Sequence, residues 1–137
     1  MNNFFLDNYQ LIIYNDTMNI IFDKNAAAEL KDKYTVLELD TVMQPGLPNP
    51  VVLHAVIEPN LNEIVSINFY KESHANFIAA YKSGDWDNAI EMAKVMIGQW
   101  QGDLDQFYQM AIDFCKENAK LNTSWDGIRH TIPREDN

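Results

Sequence analysis

The chain predicts an α+β domain, in which a mainly antiparallel four-stranded sheet is followed by three C-terminal helices packed on one face. Three observations carry that prediction. Short β-rich runs fall within residues 9–58, helical periodicities fall within 61–121, and the two kinds of element do not alternate. Runs of strands followed by runs of helices give α+β, whereas alternation would give a parallel, doubly wound sheet. Residues 1–121 form the predicted domain, and 122–137 turn polar and form a tail.

The first strand pair, Tyr9 to Tyr14 and Met18 to Phe22, flanks Asn15-Asp16-Thr17 as a hairpin. Its apolar runs are nearly continuous, as in strands covered on both faces, so it is expected at the centre of the sheet. Asn25 to Lys33 holds good helix formers with one large apolar residue, Leu30, and predicts a short surface helix. The second pair, Tyr34 to Met43 and Val51 to Glu58, is joined by Gln44-Pro-Gly-Leu-Pro-Asn-Pro50, whose prolines bar regular structure.

Side chains alternate across a strand, so Leu37, Leu39, Met43, Val51, Leu53, Ala55 and Ile57 share one apolar face. That face is the expected seat of the helices. Val36, Glu38, Asp40, Val42, Val52, His54, Val56 and Glu58 share the other. With the loop centred near Leu47, Asp40 falls opposite His54.

Three stripes at i, i+3, i+4, i+7 spacing follow. Tyr70, His74, Phe77, Ile78 and Tyr81 make the first. Trp86, Ala89, Ile90, Ala93, Ile97 and Trp100 make the second, and Leu104, Phe107, Tyr108, Ala111, Phe114 and Cys115 the third. Ser83-Gly84-Asp85 and Gln101-Gly102-Asp103 separate them. The first helix starts near Leu61, behind an Asn60–Glu63 capping box, or near Ser66. Asp85 caps the second, and Asp103 with Gln106 boxes the third. Leu37, Leu39, Leu53, Ile57, Phe77, Ile90, Ile97, Phe107 and Ala111 are the predicted core. The tail is expected to be held only at Trp125 and Ile128.

The totals exclude several function classes. At 137 residues and 47% apolar, the chain has the length of one domain and the composition of a folded one. Its lone Cys115 excludes an internal disulfide and a cysteine-based zinc site. On the stripe of the third helix, that thiol is expected to be buried and inert. No run approaches the ~18 apolar residues of a membrane span. The first residues lack the basic region and apolar stretch of a signal peptide, so a cytoplasmic location is expected. The net charge is −10 and evenly spread: residues 1–62 hold eight acids and three bases, residues 63–137 twelve and seven. Such a field repels phosphate and anionic lipid, so no direct binding to nucleic acid or membrane is expected.

Motifs for chemistry are few. The five glycines sit in no phosphate-binding pattern. Glu38, Asp40, His54 and Glu58 form the candidate polar face, since carboxylates with an imidazole can hold a divalent metal. The same four also make an ordinary solvated sheet face with an Asp40–His54 pair, and no catalytic residue, metal ligand or cofactor is assigned. Asp85, Asp87, Asp103 and Asp105 lie at helix starts, where acids suit the dipole. Trp86, Trp100 and Trp125 near helix ends are candidate partner contacts, because tryptophan anchors many interfaces, although core or rim packing accounts for the three more readily. Val36, Val42, Val52 and Val56 form an apolar patch that predicts self-association, as a dimer, the alternative being cover by the N-terminal hairpin or the tail.

Two resemblances add to this reading. Ala80-Tyr-Lys-Ser-Gly-Asp-Trp-Asp-Asn-Ala-Ile90 resembles the turn of a tetratricopeptide helical hairpin, a family of stacked antiparallel helix pairs that bind proteins. It covers barely one repeat, without the Trp-Leu-Gly opening, the closing Pro or a second copy at a period of about 34. The resemblance therefore implies an antiparallel helix pair and no peptide groove. Tyr34-Thr-Val-Leu-Glu-Leu-Asp-Thr41 and Gly98-Gln-Trp-Gln-Gly-Asp-Leu-Asp-Gln-Phe-Tyr108 look like stretches of small uncharacterised proteins of marine T4-like phages. Those have no assigned activity, so the resemblance transfers no site residue and implies the cytoplasm of an infected bacterium. The leading expectation is a non-enzymatic interaction or accessory protein with a protein partner. The alternatives are a small metal-dependent or hydrolase-like enzyme using the acidic/His face, and an acidic DNA mimic that occupies a basic protein.

Overall fold

One irregularity in strand pairing decides which side chains meet the helices. A computed structural model describes residues 20–21, 24–43, 45–46, 48–57, 64–121 and 124–130. In chain order these form β1 (Ile20–Ile21), α1 (Lys24–Leu30), β2 (Thr35–Met43), β3 (Val51–Ile57), α2 (Ile64–Ser83), α3 (Trp86–Met96), a 3-10 turn (Trp100–Gly102), α4 (Asp105–Leu121) and β4 (Arg129–His130). The class is α+β, as the pattern of elements predicts.

The sheet order is β1-β3-β2-β4, with β1 and β2 antiparallel to β3 and the two-residue β4 parallel to β2. Its composition differs from two predicted hairpins. Residues 9–14 lie outside the described residues, as does the Asn60–Glu63 capping box. Of the strand expected at 18–22, Ile20–Ile21 is described, and it pairs with β3. The edge strand on the far side comes from the tail. In α1 the buried residue is Ala27, with Leu30 half-buried. A methyl side chain lets α1 lie close against β1, β2 and β3.

β2 and β3 pair in step from Thr35↔Ile57 to Glu38↔His54, then resume one residue out of step at Asp40↔Leu53. Leu39 is the extra residue of a β-bulge. A one-residue slip sends every later side chain to the opposite face. Leu37 and Leu39 are buried as expected, but beyond the bulge Asp40 and Val42 are buried too, both 0% exposed. Three expectations are corrected by it. Asp40 does not oppose His54, Met43 yields its place on the helix face to Val42, and the outer patch keeps only Val36, Val52 and Val56.

Of the three C-terminal helices, α2 makes the close approach to the sheet, α3 packs on α2, and α4 packs on α3. Phe77, Ile78, Tyr81, Phe107, Tyr108, Ala111 and Leu104 are buried between them. The first break is where it was predicted, with Gly84 at φ +79. The second falls earlier. α3 stops at Met96, Ile97 turns extended, and Gly98 takes φ +94, a left-handed termination that glycine adopts without strain. Ile97, expected in the core, is therefore 38% exposed, and Met96 is buried in its stead. Ile90 is half-buried. Trp100 and Gln101 then take φ 56 and φ 58, a left-handed pair that costs non-glycine residues about 1–2 kcal/mol each. Asp103 has helical dihedrals inside the following turn and is not the predicted cap; the backbone oxygen of Leu104 accepts the Tyr108 N–H instead.

Candidate functional site

The bulge delivers a carboxylate to the apolar side of the sheet, where burial alone would destabilise its charge by several kcal/mol. Three donors answer it. Asp40 Oδ1 accepts the Thr41 N–H and the Tyr81 hydroxyl, each at 3.0 Å, and Oδ2 accepts Arg129 Nε–H at 2.9 Å. Arg129 Nη2 donates to the Tyr81 oxygen, closing a ring of three side chains, and to Met110 Sδ, both at 3.0 Å. The guanidinium carbon lies 4.4 Å from the centre of the Phe114 ring, a cation–π contact on a dry surface. Burial pushes the Asp40 carboxyl up, against the opposing pull of Arg129, Tyr81 and the Thr41 N–H. Burial, and then the Asp40 charge, holds the Tyr81 phenol protonated, which suits it to donate.

A second chain of hydrogen bonds runs beside the first and carries no charge. The Trp100 indole can only donate, and it does so to the Tyr108 oxygen at 3.0 Å. The Tyr108 hydroxyl must then donate to His74 Nδ1, at 2.7 Å, and His74 Nε2–H donates to the Glu38 carbonyl at 2.6 Å. That polarity needs a neutral ring. Desolvation lowers His74 to about 4, against the opposing pull of Glu38. The sequence pattern placed His74 on the core stripe, and there it sits.

The predicted polar face does not assemble. Asp40 is on the helix side of the sheet. Glu38 and His54 do oppose each other on the other side, but the Glu38 carboxylate pairs with Lys82. His54 Nδ1 is buried with no hydrogen-bond partner among the described residues, and desolvation lowers the ring's pKa against the pull of Glu38. Glu58 lies outside the described residues. Among the described residues no three His, Cys, Asp or Glu side chains are placed to share a metal ion.

The tryptophans pack inward. Trp100 is 5% exposed. Trp125 donates to the Tyr81 carbonyl at 2.8 Å, and its ring lies 5.3 Å from Phe114 and 5.6 Å from the half-buried Trp86. Asp85 stands at the N-cap of α3 and accepts from the Asn88 side chain rather than from the backbone. Asp105 Oδ1 accepts the N–H of Gly98 at 2.8 Å, tying α4 back to the end of α3. Cys115 is buried, and desolvation raises its thiol to about 12, so it is a poor nucleophile at neutral pH.

Arg129 is the residue that sequence reasoning missed. It is one of two arginines in the chain and stands four residues after Trp125 in a tail read as loosely held. A hollow of about 340 Å³ lies beside it, lined by Phe114, Ser124, Trp125, Asp126, Ile128 and Arg129. No protein-family model matches the chain, and comparisons with curated proteins and with solved structures found no match.

Proposed function

We propose that the chain is a non-enzymatic accessory protein that works by binding another protein. The observation that carries this reading is the internal engagement of the two most deeply buried polar side chains, Asp40 and His74. Both oxygens of Asp40 and both ring nitrogens of His74 are engaged within the fold, an arrangement for fastening elements together rather than for moving protons to a substrate. The surface supplies contact area of a different kind. Phe69 is 64% exposed and Val95 66% exposed. Each has a carboxylate within one helical turn, at Glu72 and Glu91. A partner with an apolar centre and a basic rim fits the surface around Phe69, and the net charge of −10 steers it in.

Affinity capture from lysate of the source organism, with wild-type and Phe69→Asp baits at low and high salt, tests the reading. A protein retained by the wild type through high salt and lost by the variant supports it, provided that the variant melts with the wild type. Equal capture by both baits, or none by either, removes it. A basic partner released by salt alone would instead favour the DNA-mimic alternative.

A further inference from the structure

The hollow beside Arg129 is walled by aromatic rings and edged by a carboxylate. Its volume of about 340 Å³ lies at the small end of the range for ligand pockets. Phe114 and Trp125 make an aromatic corner, with ring centres 5.3 Å apart and planes inclined at 59°. The indole N–H is engaged by the Tyr81 carbonyl at 2.8 Å, so Trp125 offers the hollow ring surface rather than a donor. Ile128 adds an apolar wall, and Asp126 stands exposed at the edge. Asp126 Oδ1 accepts the Ile128 N–H at 3.0 Å, a local turn that fixes where the carboxylate points.

Charge selects the kind of occupant. The chain carries −10, so an anion is repelled and a cation drawn in. Arg129 is the cation of the wall, and Asp40 answers it at 2.9 Å. The rings attract positive charge through their faces, as Phe114 already does with the guanidinium carbon 4.4 Å from its centre. A divalent metal ion needs several oxygen ligands, whereas Asp126 is the one carboxylate among the lining residues. A primary ammonium is strongly hydrated, and two rings with one carboxylate replace little of that water. A quaternary or tertiary ammonium carries its charge beneath methyl or methylene groups, which suit rings and an isoleucine side chain.

From this we infer that the hollow formed by Phe114, Trp125, Asp126 and Ile128 binds a small organic cation with a quaternary or tertiary ammonium head. The alkyl groups of the head rest on the rings and on Ile128, and Asp126 faces its charge. This site is apart from the surface around Phe69 and does not rest on the function proposed above.

Titration of the full chain with choline, followed by NMR through the indole N–H signals, tests the inference, with potassium chloride as the reference for ionic strength. Choline is expected to move the Trp125 signal along a saturating curve and to leave that of the buried Trp100 in place. The neutral isostere of choline, with a tert-butyl group in place of trimethylammonium, should bind about fivefold more weakly or worse. Asp126→Asn keeps an oxygen for the Ile128 N–H and removes the charge, and it should weaken choline by about threefold or more. If the variant's own Trp125 signal is displaced before any choline is added, the isostere comparison on the wild type decides alone. A Trp125 signal that choline leaves unmoved across the millimolar range overturns the inference. So does an isostere that binds as well as choline, since the hollow would then read shape without charge. Equal choline affinity in wild type and an undisplaced Asp126→Asn overturns it too.

Discussion

His74 and Tyr81 stand about two turns apart on one stripe of α2, and each begins a hydrogen-bonded chain that reaches both β2 and α4. The His74 chain is neutral and ends on a backbone carbonyl, which any residue at position 38 would present. The Tyr81 chain is ionic and needs two particular side chains, Asp40 and Arg129. One joins elements that sequence periodicity already places together. The other holds a segment that periodicity does not place at all. The difference teaches where this fold is robust and where it depends on single residues.

The largest effect is expected from breaking the ionic chain on one side. Arg129→Ala leaves the fully buried Asp40 without its counter-charge, a loss of about 3–5 kcal/mol. Removing both charges together, as Asp40→Leu with Arg129→Met, should recover most of that loss, because well-packed apolar residues often replace a buried pair at little cost. Thermal unfolding of the two variants checks both statements. A single variant as stable as the wild type would mean that the pair contributes nothing.

The neutral chain should answer to pH. The unfolded chain takes up a proton on His74 near 6.5, whereas the folded chain holds it off until about 4. Stability from the neutral ring is complete above pH 6.5 and is lost as pH falls from there to about 4, a change of roughly 3 kcal/mol. Asp40, pushed upward by burial, titrates in the opposite sense. The comparison is therefore wild type against His74→Gln, in chemical denaturation at several pH values. The histidine component appears as the difference in slope between the two, and parallel curves would refute it.

The smallest effect is expected at the turn that presents Trp100 to the neutral chain. Gln101 is exposed and left-handed, so Gln101→Gly relieves strain there without touching the core. After the glycine's extra freedom in the unfolded chain is subtracted, a gain of roughly 0.5 kcal/mol remains, read as a modest rise in Tm. A fall in Tm would mean that the Gln101 side chain holds the turn.

The comparison also separates what the sequence could disclose from what it could not. Helical stripes placed Phe77, Phe107 and Ala111 in the core, and put His74, Tyr81 and Tyr108 on the same faces, because a side chain's face follows from spacing alone. Leu37 and Leu53 followed from alternation in the same way. The bulge did not, because Thr35 to Met43 alternates as a regular strand would and nothing at Leu39 marks an extra residue. Asp40 was consequently assigned to the wrong face, and the candidate set of Glu38, Asp40, His54 and Glu58 depended on that assignment. Ile97 was misplaced for a related reason: Gly98 ends α3 within a stripe that looks continuous. Arg129 was illegible because its burial depends on a partner 89 positions away.

That separation also gives the fold a schedule. A nascent chain exposes Asp40 long before Arg129 exists, and at about 5–20 residues per second the wait is roughly 4–18 s. During that interval the β2–β3 hairpin and α2 can each form, but packing them together would seal an unanswered carboxylate away from water. Any early packing of that kind therefore costs the acid at the bulge its hydration, a cost that the guanidinium offsets once residue 129 has been made.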